Sequence, residues 1–356
     1  MKTRIIAGAA MVALLSACGS KTTAPVESDY TLSVNFGNDN ANGKMAYVIN
    51  YASGDKMDSV VVEGGIANFA GKIEGPTVAS ITADGHRVGT LILEAGENTF
   101  ADDKGSSSYD KAYDEVMTNL KNEVNNIYTS LDTTLTGDAR TNAINAIYAK
   151  RDSLIDATIV KNITSPVGYK LFGEQGPYMS SERFNAILKN NESLADTKRV
   201  ARLKKTFDAL DATSAGKDYV DFEVEYDGTV TKLSDFVKPG EYTLVDFWAS
   251  WCGPCKHEIE NFVKPIYEKY GDKLNVVGVT VWEEPDATKA WLEQNPLPWN
   301  IILNAQAIPT ELYGINGIPC IILIGPDGKI VERDLRQDKL VAAVEAAMNP
   351  EAAPAE

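Results

Sequence analysis

The stretch VDFWASWCGPCKHE, residues 245–258, constrains the fold of this chain most strongly, because it joins a strand pattern directly to a helix start. The run YTLVDFW that leads into it is almost continuously apolar, as in the fully buried strands of α/β sheets. Pro254 favours the first turn of a helix, where its missing N–H costs no hydrogen bond. Cys252 and Cys255 are therefore predicted to lie where a buried strand gives way to a helix.

The cysteine pair has three interpretations, namely half of a metal site, a structural disulfide or a redox centre. A zinc site built on a CxxC normally needs a second ligand pair, and the chain has only two histidines, His86 and His257, and four cysteines. A structural disulfide across so short a loop removes little entropy from the unfolded chain. We therefore predict no metal and no cofactor, and favour the redox centre.

The redox interpretation also explains the neighbouring residues. Unpaired N–H groups and the helix dipole favour an anion at a helix start, which lowers the pKa of the Cys252 thiol. Gly253 is expected to allow a tight turn there, and Trp248 and Trp251 to wall the site. Cys255, one turn inward, can attack a mixed disulfide formed on Cys252.

Strand and helix patterns alternate around this motif. Strands are expected at KLNVVGVTVW and WNIILN, and hairpins at DYVDFEVEYDGTVTKLSDF and IPCIILIGPDGKIVER. One helix is expected to run from the cysteine pair to Tyr270, and two more are expected at DATKAWLEQN and QDKLVAAVEAAM. This alternation predicts an α/β domain over residues 216–350, followed by a tail at 351–356.

These residues resemble a known family. VDFWASWCGPCK is similar to the active-site segment of thioredoxins, and residues 217–349 resemble the TlpA-like, membrane-facing branch of that superfamily. The shared features are DGTVTKLSDF, the insertion VTVWEEPDATKAWLEQNPLPWN and the ending GINGIPCIILIGPDGKIV. The resemblance implies a thioredoxin fold and the activity of a thiol-disulfide oxidoreductase.

The resemblance also implies roles for single residues. Cys252 matches the attacking thiol and Cys255 the resolving thiol, while Asp246 matches a buried carboxylate that takes the proton of Cys255. Pro319 matches a cis-proline, and the backbone of the residue before it pairs with the substrate chain in this family. The expected substrate-binding residues are Trp251, Gly253, Pro254 and Ile318.

Three residues depart from the family pattern. Glu260 stands where TlpA-like proteins usually carry proline, and Pro265 is expected to kink the helix near Asn261 instead. Glu260 and Glu258 then either lie near the site or, as we favour, on a solvated helix face. Cys320 is interpreted as a small buried residue, with a third thiol within reach of the pair as the alternative.

The first residues predict export from the cytosol. Lys2 and Arg4 precede an apolar run, Ile5 to Leu15, that is shorter than the roughly 20 residues of a membrane-spanning helix, so residues 1–17 are interpreted as a signal peptide. The run ends in LSAC, which resembles the lipobox of bacterial lipoproteins and implies a lipid on Cys18. The alternative is an ordinary signal cleavage. Residues 18–28 are expected to form a polar linker.

A lipoprotein signal predicts a periplasm-facing protein in the cell envelope, which is an oxidising compartment. Gly19 stands at the position where an aspartate retains some lipoproteins in the inner membrane. Its identity therefore favours a location in the outer membrane. The net charge of −16 argues against nucleic acid and against docking on anionic headgroups. The expected partners are disulfide-containing substrate proteins, a membrane electron donor and, through the lipid, the membrane.

Two further segments precede the α/β domain. Residues 29–107 contain short β-type runs typical of a small antiparallel sandwich or barrel, with Gly64-Gly65 as a hairpin turn. DSVVVEGGIANFAGKI and LILEAGE resemble the β-domain that precedes thioredoxin modules in some Gram-negative lipoproteins.

Residues 108–215 change to a helical period. The apolar stripes of two long runs, Tyr113 to Leu131 and Ile144 to Ile159, are interpreted as core, with a partner-binding face as the alternative. Pro166 is interpreted as a stop, and two shorter helices are expected around 181–190 and 195–211.

These features predict a lipid-anchored oxidoreductase that reduces protein disulfides, because the Gly-Pro pair resembles thioredoxin, whose potential is about −270 mV. Cytochrome c maturation and rescue of oxidised proteins are the uses that the resemblance implies. One alternative is an isomerase or oxidase in which residues 29–215 form a dimerisation or substrate module. Another is a non-catalytic module that binds a metal ion or a haem protein. A peroxidase usually needs an arginine near its cysteine, and none is close in sequence to Cys252.

Overall fold

The computed structural model of the chain describes residues 27–37 and 39–349. The predicted signal peptide, Cys18 with most of the linker, and the tail at 351–356 lie outside the described residues. The chain divides into two compact units, Met1–Leu203 and Lys204–Glu356. Within the described ranges, every helix is too short or too polar to cross a bilayer.

The first unit begins with a β-sandwich, which confirms the predicted all-β region. Its sheets have the strand orders β4-β1-β7-β8 and β3-β2-β5-β6. The pairing is antiparallel except between β1 and β7, which run parallel. The strands are β1 (Ser28–Asn35), β2 (Met45–Asn50), β3 (Lys56–Val61), β4 (Ile66–Ile73), β5 (Thr77–Ala83), β6 (His86–Leu93), β7 (Gly96–Ala101) and β8 (Lys104–Gly105).

Residues of both sheets share one apolar core, because alternate side chains of each strand point inward. Between β3 and β4, Gly64 and Gly65 both have positive φ, 57° and 74°, and Glu63 and Ile66 exchange backbone hydrogen bonds across them. The predicted turn therefore forms. The strands on its two sides, however, continue into different sheets.

Five helices follow in the described part of the chain. Four of them match the predicted helical runs, whereas the helix at Pro166–Gln175 was not predicted. Tyr113, Leu120, Ile147 and Ile159 are fully buried, whereas the other stripe residues of the first two helices are half-buried or exposed. The stripes are thus core only in part. The helices are α1 (Ser108–Thr129), α2 (Gly137–Asn162), α3 (Pro166–Gln175), α4 (Ser181–Lys189) and α5 (Lys198–Ala212).

The second unit has a five-stranded sheet of order β13-β12-β11-β14-β15 and a separate hairpin of β9 and β10. The central strand β11 pairs parallel with β12 and antiparallel with β14. This arrangement is the predicted α/β fold. The elements are β9 (Glu223–Tyr226), β10 (Thr229–Lys232), β11 (Tyr242–Trp248), α6 (Gly253–Glu258), α7 (Lys264–Tyr270), β12 (Leu274–Thr280), α8 (Pro285–Gln294), β13 (Asn300–Ile302), α9 (Ile308–Leu312), β14 (Cys320–Ile324), β15 (Ile330–Glu332) and α10 (Gln337–Met348).

The last turns of α5 pack inside this second unit. The guanidinium of Arg333 donates to the carbonyl oxygens of Leu210, Thr213 and Tyr313 at 3.4, 3.2 and 2.9 Å. Gly314 has a φ of +64°, and a Cβ there would lie 2.4 Å from a carbonyl oxygen of α5. The compact second unit thus begins at Lys204, within α5.

Candidate active site

Cys252 and Cys255 form a disulfide at the start of α6, beyond the end of β11. The connection from β11 to α6 is a turn, which a backbone hydrogen bond of 3.1 Å from the Cys252 N–H to the Ala249 carbonyl closes. Cys252 is the N-cap residue of α6, and its Sγ accepts a hydrogen bond from the Cys255 N–H at 3.1 Å. The pair thus lies where a helix leaves backbone donors free to face an anion.

Three predicted substrate-binding residues form the exposed rim of this disulfide. Trp251 is 58% exposed, and Gly253 and Pro254 are also exposed, while Cys252 and Cys255 are buried. The prediction that a tight turn requires glycine at position 253 is wrong. The φ of Gly253 is not in the left-handed region, and a Cβ there would meet open space. Its missing side chain instead leaves the surface beside the sulfurs open.

Asp246 is buried within the sheet below the cysteines. Side chains alternate along β11, so Asp246 shares a face with Leu244 and Trp248, which pack in the same cluster as both cysteines. Burial, and secondarily the negative charge of Glu258, raises the pKa of the Asp246 carboxyl to about 8. The residue is therefore able to hold or release a proton at neutral pH. Trp248 lies under the pair in this core and not at the surface.

Glu258, expected on a solvated helix face, is buried at the end of α6. Its Oε2 accepts a hydrogen bond of 3.0 Å from the backbone N–H of Gln337. Glu260 is exposed and pairs with Lys264 at 2.7 Å, as a solvated face predicts. Between α6 and α7 the helix makes a π turn at Ile259–Val263, which is the interruption expected from Pro265.

The loop before β14 supplies the other side of the site. The peptide bond between Ile318 and Pro319 is cis, Pro319 is buried, and Ile318 is half-buried against the cluster that contains the cysteines. The Pro319 carbonyl oxygen accepts a hydrogen bond of 2.5 Å from the guanidinium of Arg336. Arg336 thereby joins this loop to the segment that also holds Glu258.

Cys320 is a free, buried thiol. Its Sγ donates to Asp334 Oδ1 over 3.4 Å. Burial, together with the carboxylate of Asp334, raises the pKa of Cys320 to about 12. This environment suits the predicted small buried residue better than a third reactive thiol.

Two residues near the site were not predicted from the sequence. One is Arg336, whose partner is distant in sequence. The other is Glu283, a buried carboxylate that accepts hydrogen bonds from Ser250, inside the turn that leads into Cys252. Glu283 follows a buried parallel strand, and the carboxyl ends of such strands are where ligands bind in α/β sheets. That signal was readable.

Neither a metal site nor an arginine-activated cysteine is evident. Among the described residues, no group of three or more His, Cys, Asp or Glu side chains is placed to hold a metal ion. The second unit has two arginines, Arg333 and Arg336, and both donate to backbone carbonyls.

Known proteins resemble both parts of the chain. A family model described as the AhpC/TSA family matches residues 215–333. A second, described as a domain of unknown function (DUF4369), matches residues 30–144, which include the sandwich, α1 and the start of α2.

Individual relatives match the C-terminal region. The thiol-disulfide oxidoreductase ResA of Bacillus thuringiensis subsp. konkukian is 28% identical over 119 residues, 33% of this chain and 67% of that protein. ResA of Bacillus subtilis is 26% identical over 127 residues, covering 35% and 70%. The crystal structure of the thioredoxin domain of a thiol-disulfide oxidoreductase from Bacteroides vulgatus is 30% identical, covers 37% of this chain and 96% of that one, and has a TM-score of 0.33.

Replacing Asp246 with asparagine should change how the stability of the oxidised protein depends on pH. The folded-state pKa is raised to about 8 from 3.8, so the stabilisation by the protonated carboxyl is complete below about pH 4 and is lost as pH rises towards 8. The stability gained by Asp246→Asn should grow across that window to about 6 kcal/mol. Urea unfolding at a series of pH values measures it. A difference that stays constant with pH contradicts the prediction, and the exposed Asp272→Asn is the control.

Replacing Glu258 with glutamine should lower the pKa of Asp246 while leaving it above the ordinary range, because burial is the larger cause of the shift. Glutamine keeps an acceptor for the Gln337 N–H. The ¹³C shift of the Asp246 carboxyl, followed against pH by NMR, reports the change. Glu260→Gln, on the exposed side of the same helix, should leave the titration as it is. An equal response to both variants would sink the assignment.

Proposed function

Because the C-terminal domain is a TlpA-like, thioredoxin-family thiol-disulfide oxidoreductase domain, we propose that it reduces disulfides of other proteins through Cys252 and Cys255. The observation that carries the proposal is the disulfide at a helix start, with an open rim above it and the proton-binding Asp246 in the core below. A structural disulfide needs neither the rim nor the acid.

The first step is attack by the Cys252 thiolate on a substrate disulfide. The Cys252 Sγ bonds to one substrate sulfur, the substrate S–S bond breaks, and the other substrate sulfur leaves as a thiolate. Cys252 suits this role because it is the helix cap, where free N–H groups stabilise its negative charge. Trp251 and the backbone of Ile318 hold the substrate chain, the latter as an added strand.

The second step releases the substrate. Cys255 loses its proton to the Asp246 carboxylate and attacks Cys252, which forms the enzyme disulfide and frees the second substrate thiolate. The substrate has then gained two electrons and the enzyme has lost two. Asp246 suits the transfer because its raised pKa of about 8 makes its ionised form a stronger base than an ordinary carboxylate.

We assign the protein a reducing direction on the Gly-Pro pair between the cysteines, since thioredoxin with the same pair has a potential of about −270 mV. In an oxidising compartment such a site needs a dithiol donor that restores it, and we place that donor in the membrane. The lipobox-like LSAC supports an anchor on Cys18 and a position facing the periplasm. More than one acyl chain is needed for firm attachment.

Cysteine variants test the reaction. Cys252→Ser should abolish insulin reduction, and Cys255→Ser should accumulate a mixed disulfide with the substrate that is visible on a non-reducing gel. Cys320→Ser is the matched control and should keep the full rate, because the Cys320 thiol is buried and bonded to Asp334. Insulin reduction that survives replacement of both Cys252 and Cys255 rules the function out.

Fractionation tests the anchor. The wild-type chain should be recovered with the outer membrane and should incorporate labelled fatty acid, whereas Cys18→Ser should do neither. Label retained in the Cys18→Ser chain, or wild-type protein in the soluble fraction, would show that the anchor is wrong and leave the redox chemistry standing.

A further inference from the structure

We propose that Glu283 is a positioning residue that holds the turn carrying Trp251 and Cys252 in the geometry that protein substrates require. It does so through Ser250. The Ser250 backbone N–H donates to Glu283 Oε1 at 2.8 Å, and the Ser250 hydroxyl donates to Oε2 at 2.6 Å. One carboxylate thus fixes both donors of Ser250, the first central residue of the turn.

The turn spans Ala249 to Cys252, and both of these end residues are buried. It is closed by the hydrogen bond from the Cys252 N–H to the Ala249 carbonyl, with Ser250 and Trp251 at its two central positions. Trp251 is exposed, so its own side chain does little to anchor it. Fixing Ser250 therefore fixes the direction in which Trp251 leaves the surface beside the disulfide.

Glu283 is itself held from several sides. It is 8% exposed, its Oε1 accepts a third hydrogen bond from the Thr288 hydroxyl at 2.7 Å, and its carbonyl accepts one from Gln306 at 2.9 Å. The preceding residue, Trp282, has a φ of +57°, which is unusual for a bulky side chain. Its indole N–H donates to Thr310 at 3.2 Å. Strained backbone that its surroundings enforce is common at functional sites.

Two consequences of the carboxylate are separable. As an acceptor it orders the turn, and an uncharged amide oxygen can replace it there. As an anion, Glu283 binds Ser250, which lies two residues before Cys252. Its negative charge therefore disfavours the Cys252 thiolate, and with it the reduced form of the pair. Glu283→Ala removes both effects, while Glu283→Gln removes mainly the charge.

The inference rests on the proposed reduction of protein disulfides, so its test compares a protein with a small substrate. Reduced protein is mixed with insulin or with glutathione disulfide, and kcat/KM is measured for each. Glu283→Ala should lower the insulin value about tenfold and the glutathione value by less than about twofold, since a small disulfide does not need the placed Trp251. Glu283→Gln should restore most of the insulin value. The exposed neighbour Glu284→Gln should change neither.

A proportional loss on both substrates, or no loss on insulin, overturns the inference. If Glu283→Ala does not fold, Ser250→Ala carries the same comparison, because it removes one of the hydrogen bonds and leaves the carboxylate with Thr288.

A wild-type protein that reduces glutathione disulfide but not insulin contradicts the proposed function instead.

The effect of the Glu283 charge is measured separately, from the redox equilibrium of the cysteine pair with glutathione. Glu283→Gln should shift that equilibrium about threefold towards the dithiol, or about 14 mV, since tenfold is 29.6 mV. An unchanged equilibrium would also overturn the inference.

Discussion

The burial of one carboxylate, Asp246, in the central strand is the constraint on which the C-terminal domain depends. Its neighbours on β11 are apolar and fully buried, and its Oδ1 has no hydrogen-bond partner among the residues that the structure describes. Ionising it there is costly, because a charge in a low-dielectric core loses its hydration. The protein therefore keeps a carboxyl group that prefers to be neutral on the sheet face that packs against the two cysteines.

The elements around this carboxylate could be predicted because their signals are local. An apolar run followed by a cysteine pair and proline predicts β11 and α6, and two Asp-Gly turns predict the hairpins. Helix α9 was missed, since its five residues are too few to show a period. Pro166 was interpreted only as a stop, although it starts α3 behind the cap residue Ser165. Proline carries both meanings, and local sequence does not choose between them.

The acidic residues show where sequence reasoning ends. Glu258 and Glu260 are two positions apart, and both were interpreted as solvated. The structure separates them, because the backbone N–H of Gln337, 79 residues away in sequence, binds Glu258. The partner of Cys320, Asp334, and that of Pro319, Arg336, also come from the loop between β15 and α10. A single loop thus decides the environment of three site residues, and no pattern within 10 residues of them indicates it.

The two cysteines of the pair owe their different roles to this asymmetric environment. Cys252 caps a helix just beneath the exposed rim, where backbone donors favour a negative charge. Cys255 lies one turn deeper, in a core that also contains Asp246 and, at the helix end, Glu258, so a thiolate there is opposed by burial and by nearby acid. The chain therefore needs no difference in residue type to decide which thiol attacks first. In the proposed reaction, the outer sulfur is the one whose negative charge the helix start favours, and the inner sulfur is the one whose negative charge burial disfavours.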